Sequence, residues 1–220
     1  MNSKQKKLSV TIQKNELSIA TIHQMWQLYK DYYHSTYDTF VEQLTTYQYL
    51  SFFKQEEQLV GFACIETIRQ PLHGRNYLFI RFGQAIIDPA FRGKALIPIT
   101  AAKLSRLFWK DFLFGQAYFW ANTLTYTSYL VFAKTLSSFY PSYKHPTPYA
   151  VKDLIDFIGL KQYGEDYNPA LGTVHTSFKV VNDFTTEVQT KYLEDKDIQF
   201  FTSLNAVSYT HLTLPTTPYV

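Results

Sequence analysis

The sequence predicts an α+β fold on three observations. Two runs with helical spacing come first; a hairpin signal and a long aromatic strand follow; then a stretch reads as strand end, basic turn and helix start. Of the 220 residues, 46% are hydrophobic and 18% charged, enough to bury a core and too apolar for disorder.

The elements follow in order. Residues 1–16 are mostly polar and basic, with a short apolar run at Leu8–Ile12 that reads as a first strand or part of an arm. Ser18 can cap a helix running to Tyr33, with Ile22, Met25, Trp26 and Tyr29 sharing a face. A second helix is expected over Thr39–Tyr47, where Phe40, Leu44 and Tyr47 align. Tyr49–Lys54 and Leu59–Ile68 read as strands around a polar turn at residues 55–58. Pro71–Asn76 reads as a loop, and Tyr77–Ile87 as a strand rich in aromatic and β-branched residues. Pro98 suits the first turn of a helix, which should run to about Phe112 before Gly115. Ala117–Leu124 is a further strand. Thr127 or Ser128 then caps a helix to about Phe139, which Tyr140-Pro141 stops. Val151–Leu160 reads as a helix, Leu171–Val181 as a strand, and the residues after Asn182 give no clear pattern.

Composition narrows the function classes. A net charge of +3 does not by itself argue for nucleic acid or membrane as partner, and neither is expected. The single cysteine, Cys64, excludes an internal disulfide and a multi-cysteine metal site. The histidines show no metal-ligand spacing, so no metal is expected. No N-terminal stretch reads as a signal peptide and no run approaches a membrane span, so a cytoplasmic protein is the default expectation. The aromatic content, 18 Tyr and 18 Phe, reads as core before it reads as a stacking surface.

The C-terminus is read separately. Val207–Thr217 matches one frame of a translated transposase adapter from sequencing-library preparation; the other reading is a genuine Thr/Pro-rich tail. Residues 206–220 are set aside from the functional reading, and the natural chain is expected to continue past Asn205.

The stretch Gln84-Ala-Ile-Ile-Asp-Pro-Ala-Phe-Arg-Gly-Lys-Ala-Leu-Ile97 carries the strongest signal. A basic turn between a buried strand and a helix start aims backbone N–H groups at one point, where Arg92 and Lys94 add positive charge. That arrangement suits the phosphates of a nucleotide-like group. With the element order from Leu17 to Pro141, it resembles the GNAT acetyltransferase superfamily.

The resemblance implies a GNAT-like fold: a mixed, mostly antiparallel central sheet flanked by helices in α/β/α layers. Residues 17–141 would be the core, and 142–205 its completion or a C-terminal extension. It implies acetyl-CoA or another acyl-CoA as co-substrate, and a small-molecule or peptide amine as acceptor. The family's pyrophosphate loop matches Arg92, Gly93 and Lys94; Ala95 stands where the family has its first required Gly, and Ile97 where it has a second small residue. Ala95 fits if its φ is negative, and Ile97 if its side chain points away from the cofactor. Leu96 lies between them. Ala85, Ile86 and Ile87 stand where family members bond the pantetheine arm through backbone atoms, and Asn122 at a position that often contacts that arm.

For the chemistry, Glu66 is the candidate general base or a solvent-facing strand residue, and Gln84 can order a water. Arg81 lies near Gln84 on the long strand. The family's proton-donating Tyr aligns with Phe132, which has no hydroxyl; Tyr129, one turn earlier, is the substitute candidate or a packing residue. A GNAT-like N-acyltransferase is therefore expected, with a non-catalytic binding or sensor domain of the same fold as the alternative.

Overall fold

Short polar caps and turns set the boundaries of the elements in the computed structural model, which describes residues 7–123, 125–175 and 194–205. Two compact units divide between Ala121 and Asn122. The proposed adapter segment lies outside the described residues, as does residue 176 onward of the strand expected at Leu171–Val181.

In the first unit, Leu8–Lys14 forms β1. Ser18 Oγ accepts from the Thr21 N–H and opens α1, Ile19–Tyr29, which ends a turn before the expected Tyr33. Thr36 does the same for α2, Tyr37–Leu44. The hairpin strands are β2, Tyr49–Gln55, and β3, Gln58–Leu72. The loop expected at Pro71–Asn76 is instead a tight turn, because His73 and Gly74 both take positive φ, at 48° and 73°. That geometry matches strand twist, so β3 pairs on into β4, Arg75–Ile87. The helix expected from Pro98 to Phe112 is two helices, α3 over Leu96–Leu107 and α4 over Trp109–Leu113, broken at Phe108. Strand β5 is Ala117–Ala121.

The sheet order is β1-β2-β3-β4-β5, antiparallel throughout except for the parallel β4–β5 pair. Alternation along the strands sends side chains to two faces. On one face α1 and α2 bury Met25, Tyr29, Phe40 and Leu44 against Leu50, Phe52, Phe62 and Ile86. On the other, Leu96 and Leu104 of α3 pack on Phe53, Ala63, Ile65, Ile80 and Phe82. A buried hydroxyl pair ties α3 to β2: Thr100 Oγ1 donates to the Leu96 carbonyl, so Ser51 Oγ donates to Thr100 at 2.8 Å. The fold is thus α+β, with the mostly antiparallel sheet between helical layers that the GNAT-like resemblance implied.

In the second unit, Thr125 caps α5, Tyr126–Thr135, in place of the expected Thr127 or Ser128. Helix α6 spans Tyr149–Tyr163, starting directly after Pro148. The short strands β6, Tyr167–Asn168, and β7, Thr173–Val174, pair antiparallel. Helix α7, Lys196–Leu204, has no counterpart in the sequence reading; Asp195 caps it. Its Ile198 and Phe201 close an aromatic cluster with Tyr126 and Tyr129 of α5. Lys134 Nζ bridges Asp195 and the buried Asp197 at 2.8 and 2.7 Å.

Burial raises the hydroxyl of Tyr29 to about 12 and that of Tyr47 further. In the unfolded chain both titrate near 10. Their contribution to stability is whole below pH 10 and is lost as pH rises above it, through about 12 for Tyr29 and further for Tyr47. The urea midpoint should fall across that window, and Tyr29→Phe should flatten the fall. An unchanged slope in Tyr29→Phe would show that other groups carry it.

Candidate functional site

Strand β4 positions the site through one irregularity. Ala63 pairs with Ala85, but Ile65 pairs with Phe82, so Gly83 and Gln84 together oppose Cys64. This β-bulge puts an extra residue in β4 and reverses its alternation. Leu78, Ile80 and Phe82 face α3, whereas Ile86 joins the α1–α2 core. Glycine at 83 is a packing requirement: a Cβ there would lie 2.3 Å from the Tyr47 ring.

Beyond the bulge, β4 outruns its parallel neighbour. Pairing with β5 ends at Phe82–Ala121, and β4 continues to Ile87. The Asp88 N–H donates to the Val60 carbonyl at 3.0 Å, so by alternation Ile86 also turns its backbone groups toward β3. Ala85 and Ile87 turn theirs toward the edge that β5 has vacated. Of the three backbone positions implied by resemblance, two therefore reach an open strand edge and Ile86 does not. The Ile87 carbonyl on that edge accepts from Arg92 Nε at 3.3 Å.

The loop after β4 is a short 3-10 turn at Pro89–Phe91, then Arg92–Ala95, then α3. Arg92, Gly93, Lys94 and Ala95 are all exposed. Gly93 has φ 76° and Ala95 φ 55°. The condition set for Ala95, a negative φ, is not met: the residue holds the left-handed backbone that glycine favours. An alanine side chain cannot cap, and none does, so the first N–H groups of α3 are left bare. Leu96 is buried, and Ile97 packs on the α3-side core, away from the loop surface. Arg92 also lies 5.6 Å over the Tyr32 ring.

Ala95→Gly should raise stability. Left-handed geometry costs a non-glycine residue about 1–2 kcal/mol, and the added freedom of glycine in the unfolded chain offsets about 0.4–1 kcal/mol of that. The net, up to about 1.6 kcal/mol, corresponds to a Tm increase of up to roughly 6 °C by scanning calorimetry. A fall in Tm would mean that the Ala95 methyl makes a contact worth more than its strain.

The proposed catalytic side chains separate. Glu66 faces Arg81 across β3–β4, with Arg81 Nε 2.6 Å from Glu66 Oε2 and both side chains under a fifth exposed. The Arg81 guanidinium also lies 5.7 Å over Tyr47 and 5.5 Å over Trp120. Glu66 is therefore the partner of a cation, neither an isolated carboxylate nor a solvent-facing one. Gln84 is 1% exposed; its Nε2 donates to Tyr29 Oη at 3.5 Å and to Gln43 Oε1. Its Oε1 is buried with no hydrogen-bond partner among the described residues. Tyr29 and Tyr47 beside it read from sequence only as helix-face packing residues, and Gln43 carried no signal; Gly83 inside a strand pattern was the available sign of the bulge.

In the second unit, Tyr129 is buried among Phe139, Phe200 and Phe201, and its hydroxyl donates to the Pro141 carbonyl at 3.2 Å. Burial raises that hydroxyl well above the usual tyrosine range. Asn122 donates to the Tyr163 hydroxyl, while its Oδ1 is buried without a partner among the described residues. Among the described residues no group of three His, Cys, Asp or Glu is placed to hold a metal, and no helix is long and apolar enough to cross a membrane.

No family model and no curated protein matches the chain. Solved structures of acyltransferases resemble it at low identity. A ribosomal-protein-alanine N-acetyltransferase from Brucella melitensis is 16% identical, over 62% of this chain and 96% of that one, with a TM-score of 0.45. An aminoglycoside N-acetyltransferase solved with CoA is 12% identical, over 65% and 99%, with a TM-score of 0.45. A conserved Enterococcus faecalis protein described as a probable N-acyltransferase is 18% identical over 56% of this chain, with a TM-score of 0.39; the match spans only 31% of that longer protein.

Proposed function

We propose that this chain is a GNAT-like N-acyltransferase that moves an acyl group, acetyl in the simplest case, from acyl-CoA to an amine. The observation that carries the reading is the junction of β4 and α3. An open strand edge at Ala85 and Ile87 leads into a loop of exposed cations, which ends on an uncapped helix N-terminus. Bare N–H groups and the helix dipole favour a pyrophosphate there. Both departures from the family loop leave this shape intact: Ala95 adopts the glycine conformation, and Ile97 sinks its side chain into the core.

In this reading the backbone of Ala85 and Ile87 aligns the amide-bearing arm of the co-substrate along the strand edge. Arg92 turns from the Ile87 carbonyl toward phosphate. The N–H groups of Gly93–Ile97 hold the phosphate oxygens, with Lys94 beside them. Gln84, at the bulge, offers its unpaired Oε1 to the attacking amine or to a water that takes the amine's proton. The amine nitrogen forms the new C–N bond, the thioester C–S bond breaks, and the proton lost from the nitrogen passes through water to the departing thiolate.

A second reading, an acyl-CoA-binding sensor domain without turnover, is favoured by the commitments of the acid–base candidates. Glu66 is paired to Arg81, and Tyr129 to the Pro141 carbonyl. Thermal unfolding with acetyl-CoA, followed by thiol release with an amine panel, separates the readings. Ligand at 100 times its dissociation constant adds about 2.7 kcal/mol, so Tm should rise roughly 5–10 °C, and less in Arg92→Ala. Binding with amine-dependent thiol release supports the enzyme; binding alone supports the sensor. A well-folded chain that acetyl-CoA does not shift sinks both.

A further inference from the structure

The first unit carries an exposed face that acyl transfer does not use. Helix α3 turns Leu96, Thr100 and Leu104 inward. On its outer side Ile99, Lys103, Arg106 and Leu107 follow i, i+4, i+7, i+8 spacing, so cations and apolar side chains share one stripe. The chain then breaks at Phe108, and α4 continues the pattern. Trp109, Leu113 and Phe114 are 55%, 68% and 70% exposed. Lys110 Nζ sits 5.7 Å above the Trp109 ring. Asp111 is the only acidic residue between Leu96 and Gly115. Its carboxylate is occupied by a two-pronged contact from Arg69 at 2.6 and 3.1 Å. What remains outward on this segment is three cations, Lys103, Arg106 and Lys110, and five large apolar side chains, Ile99, Leu107, Trp109, Leu113 and Phe114.

Apolar side chains this exposed call for a covering partner, and the surrounding charge selects its kind. A protein face dominated by hydrophobic contact would dispense with the lysines and the arginine. A neutral bilayer would make no use of them. Exposed Trp, Leu and Phe beside Lys and Arg match an interface where rings sit at the headgroup boundary and cations meet anionic headgroups. We propose that the outer face of α3–α4 docks on an anionic lipid surface, with Trp109, Leu113 and Phe114 entering the headgroup region and Lys103, Arg106 and Lys110 pairing with the lipid charges. The contact is peripheral: the helices lie on the surface. It replaces the sequence-based expectation of no membrane partner with a local one, because a net charge of +3 averages away a concentrated face.

The test is flotation of the full chain with vesicles of phosphatidylcholine alone or phosphatidylcholine with phosphatidylserine. Binding should occur on the anionic vesicles only and fade with salt, as the screening length shortens from about 10 Å at 0.1 M to 3 Å at 1 M. Trp109 is the reporter, since Trp120 is buried and Trp26 packs against the α1–α2 core. Tryptophan emission should shift to the blue on anionic vesicles, and Trp109→Phe should lose the shift while still floating. The triple variant Lys103→Gln, Arg106→Gln, Lys110→Gln should bind about 100-fold more weakly, and the charge-reversed Lys103→Glu, Arg106→Glu, Lys110→Glu more weakly still. Leu113→Ser with Phe114→Ser should bind less at unchanged charge. These positions are exposed, so circular dichroism should match the parent. A folded chain that does not float with anionic vesicles overturns the proposal. So does equal binding by the triple variant, or vesicle-free self-association that the same substitutions abolish, which would assign the face to a second copy.

Discussion

Gly61→Val should destabilise the chain by about 3 kcal/mol, the upper end of the overpacking range, and lower Tm by roughly 6–12 °C. A Cβ at 61 would lie 2.6 Å from the Ile86 carbonyl oxygen, 2.9 Å from a Phe53 ring carbon and 3.1 Å from the Ile87 Cα. Two of these atoms are backbone, and Phe53 is fully buried, so no rotamer change opens the space. Relief must come from parting β3 and β4 where Gly61 pairs with Ile87. That same stretch forms the open edge assigned to the acyl-CoA arm. The variant should therefore lose acetyl-CoA response as well as stability, and Gly61→Ala should lose less of each. Denaturant and thermal melts with and without acetyl-CoA read both effects. An unchanged Tm would mean that the two strands stand further apart than described.

The order of elements was legible because each has a local cause. Ser18 caps α1, apolar spacing marks α2, and the aromatic strand Tyr77–Ile87 is contained in β4. Long-range geometry was not legible. The bulge opposite Cys64 depends on how β3 and β4 pair, and only the pairing shows that Gln84 turns inward beside Tyr29 and Gln43. The break at Phe108 also escaped notice, since Trp109–Leu113 has ordinary helical residues and no Gly or Pro marks the stop. The polar stretch holding α7 hid a helix whose stability comes from burying Ile198 and Phe201 against α5, with Asp195 and Asp197 held by Lys134.

In the loop proposed for pyrophosphate, sequence and geometry carry different information. Residue identity located it, through Arg92, Gly93 and Lys94. Identity alone could not say whether alanine and isoleucine spoil it, because both answers depend on backbone angle and side-chain direction. At Ala95 the tertiary setting imposes φ 55° on a residue that disfavours it, and at Ile97 helix phase turns a branched side chain into the core. Strain kept without evident packing gain is the kind that accompanies a binding loop, and the stability of Ala95→Gly measures it directly.

Glu66→Ala should cost roughly 2–3 kcal/mol, somewhat below the 3–5 kcal/mol typical when a fully buried ion pair loses one partner. The carboxylate compensates a guanidinium that is 18% exposed, and Tyr47 and Trp120 flank that guanidinium. Without Glu66, Arg81 keeps its desolvated charge and loses its counter-charge. Arg81→Ala should cost a similar amount, and the double variant should cost less than the two together, since each single change strands the other group. Turnover per folded molecule separates a catalytic from a structural role for Glu66. A general base lost in Glu66→Gln would cut that turnover by about 10²–10⁴, in addition to the fall in Tm that follows from stranding the Arg81 charge. A structural counter-ion lost in Glu66→Ala would lower Tm, with turnover per folded molecule preserved. The 2.6 Å pairing predicts the second pattern.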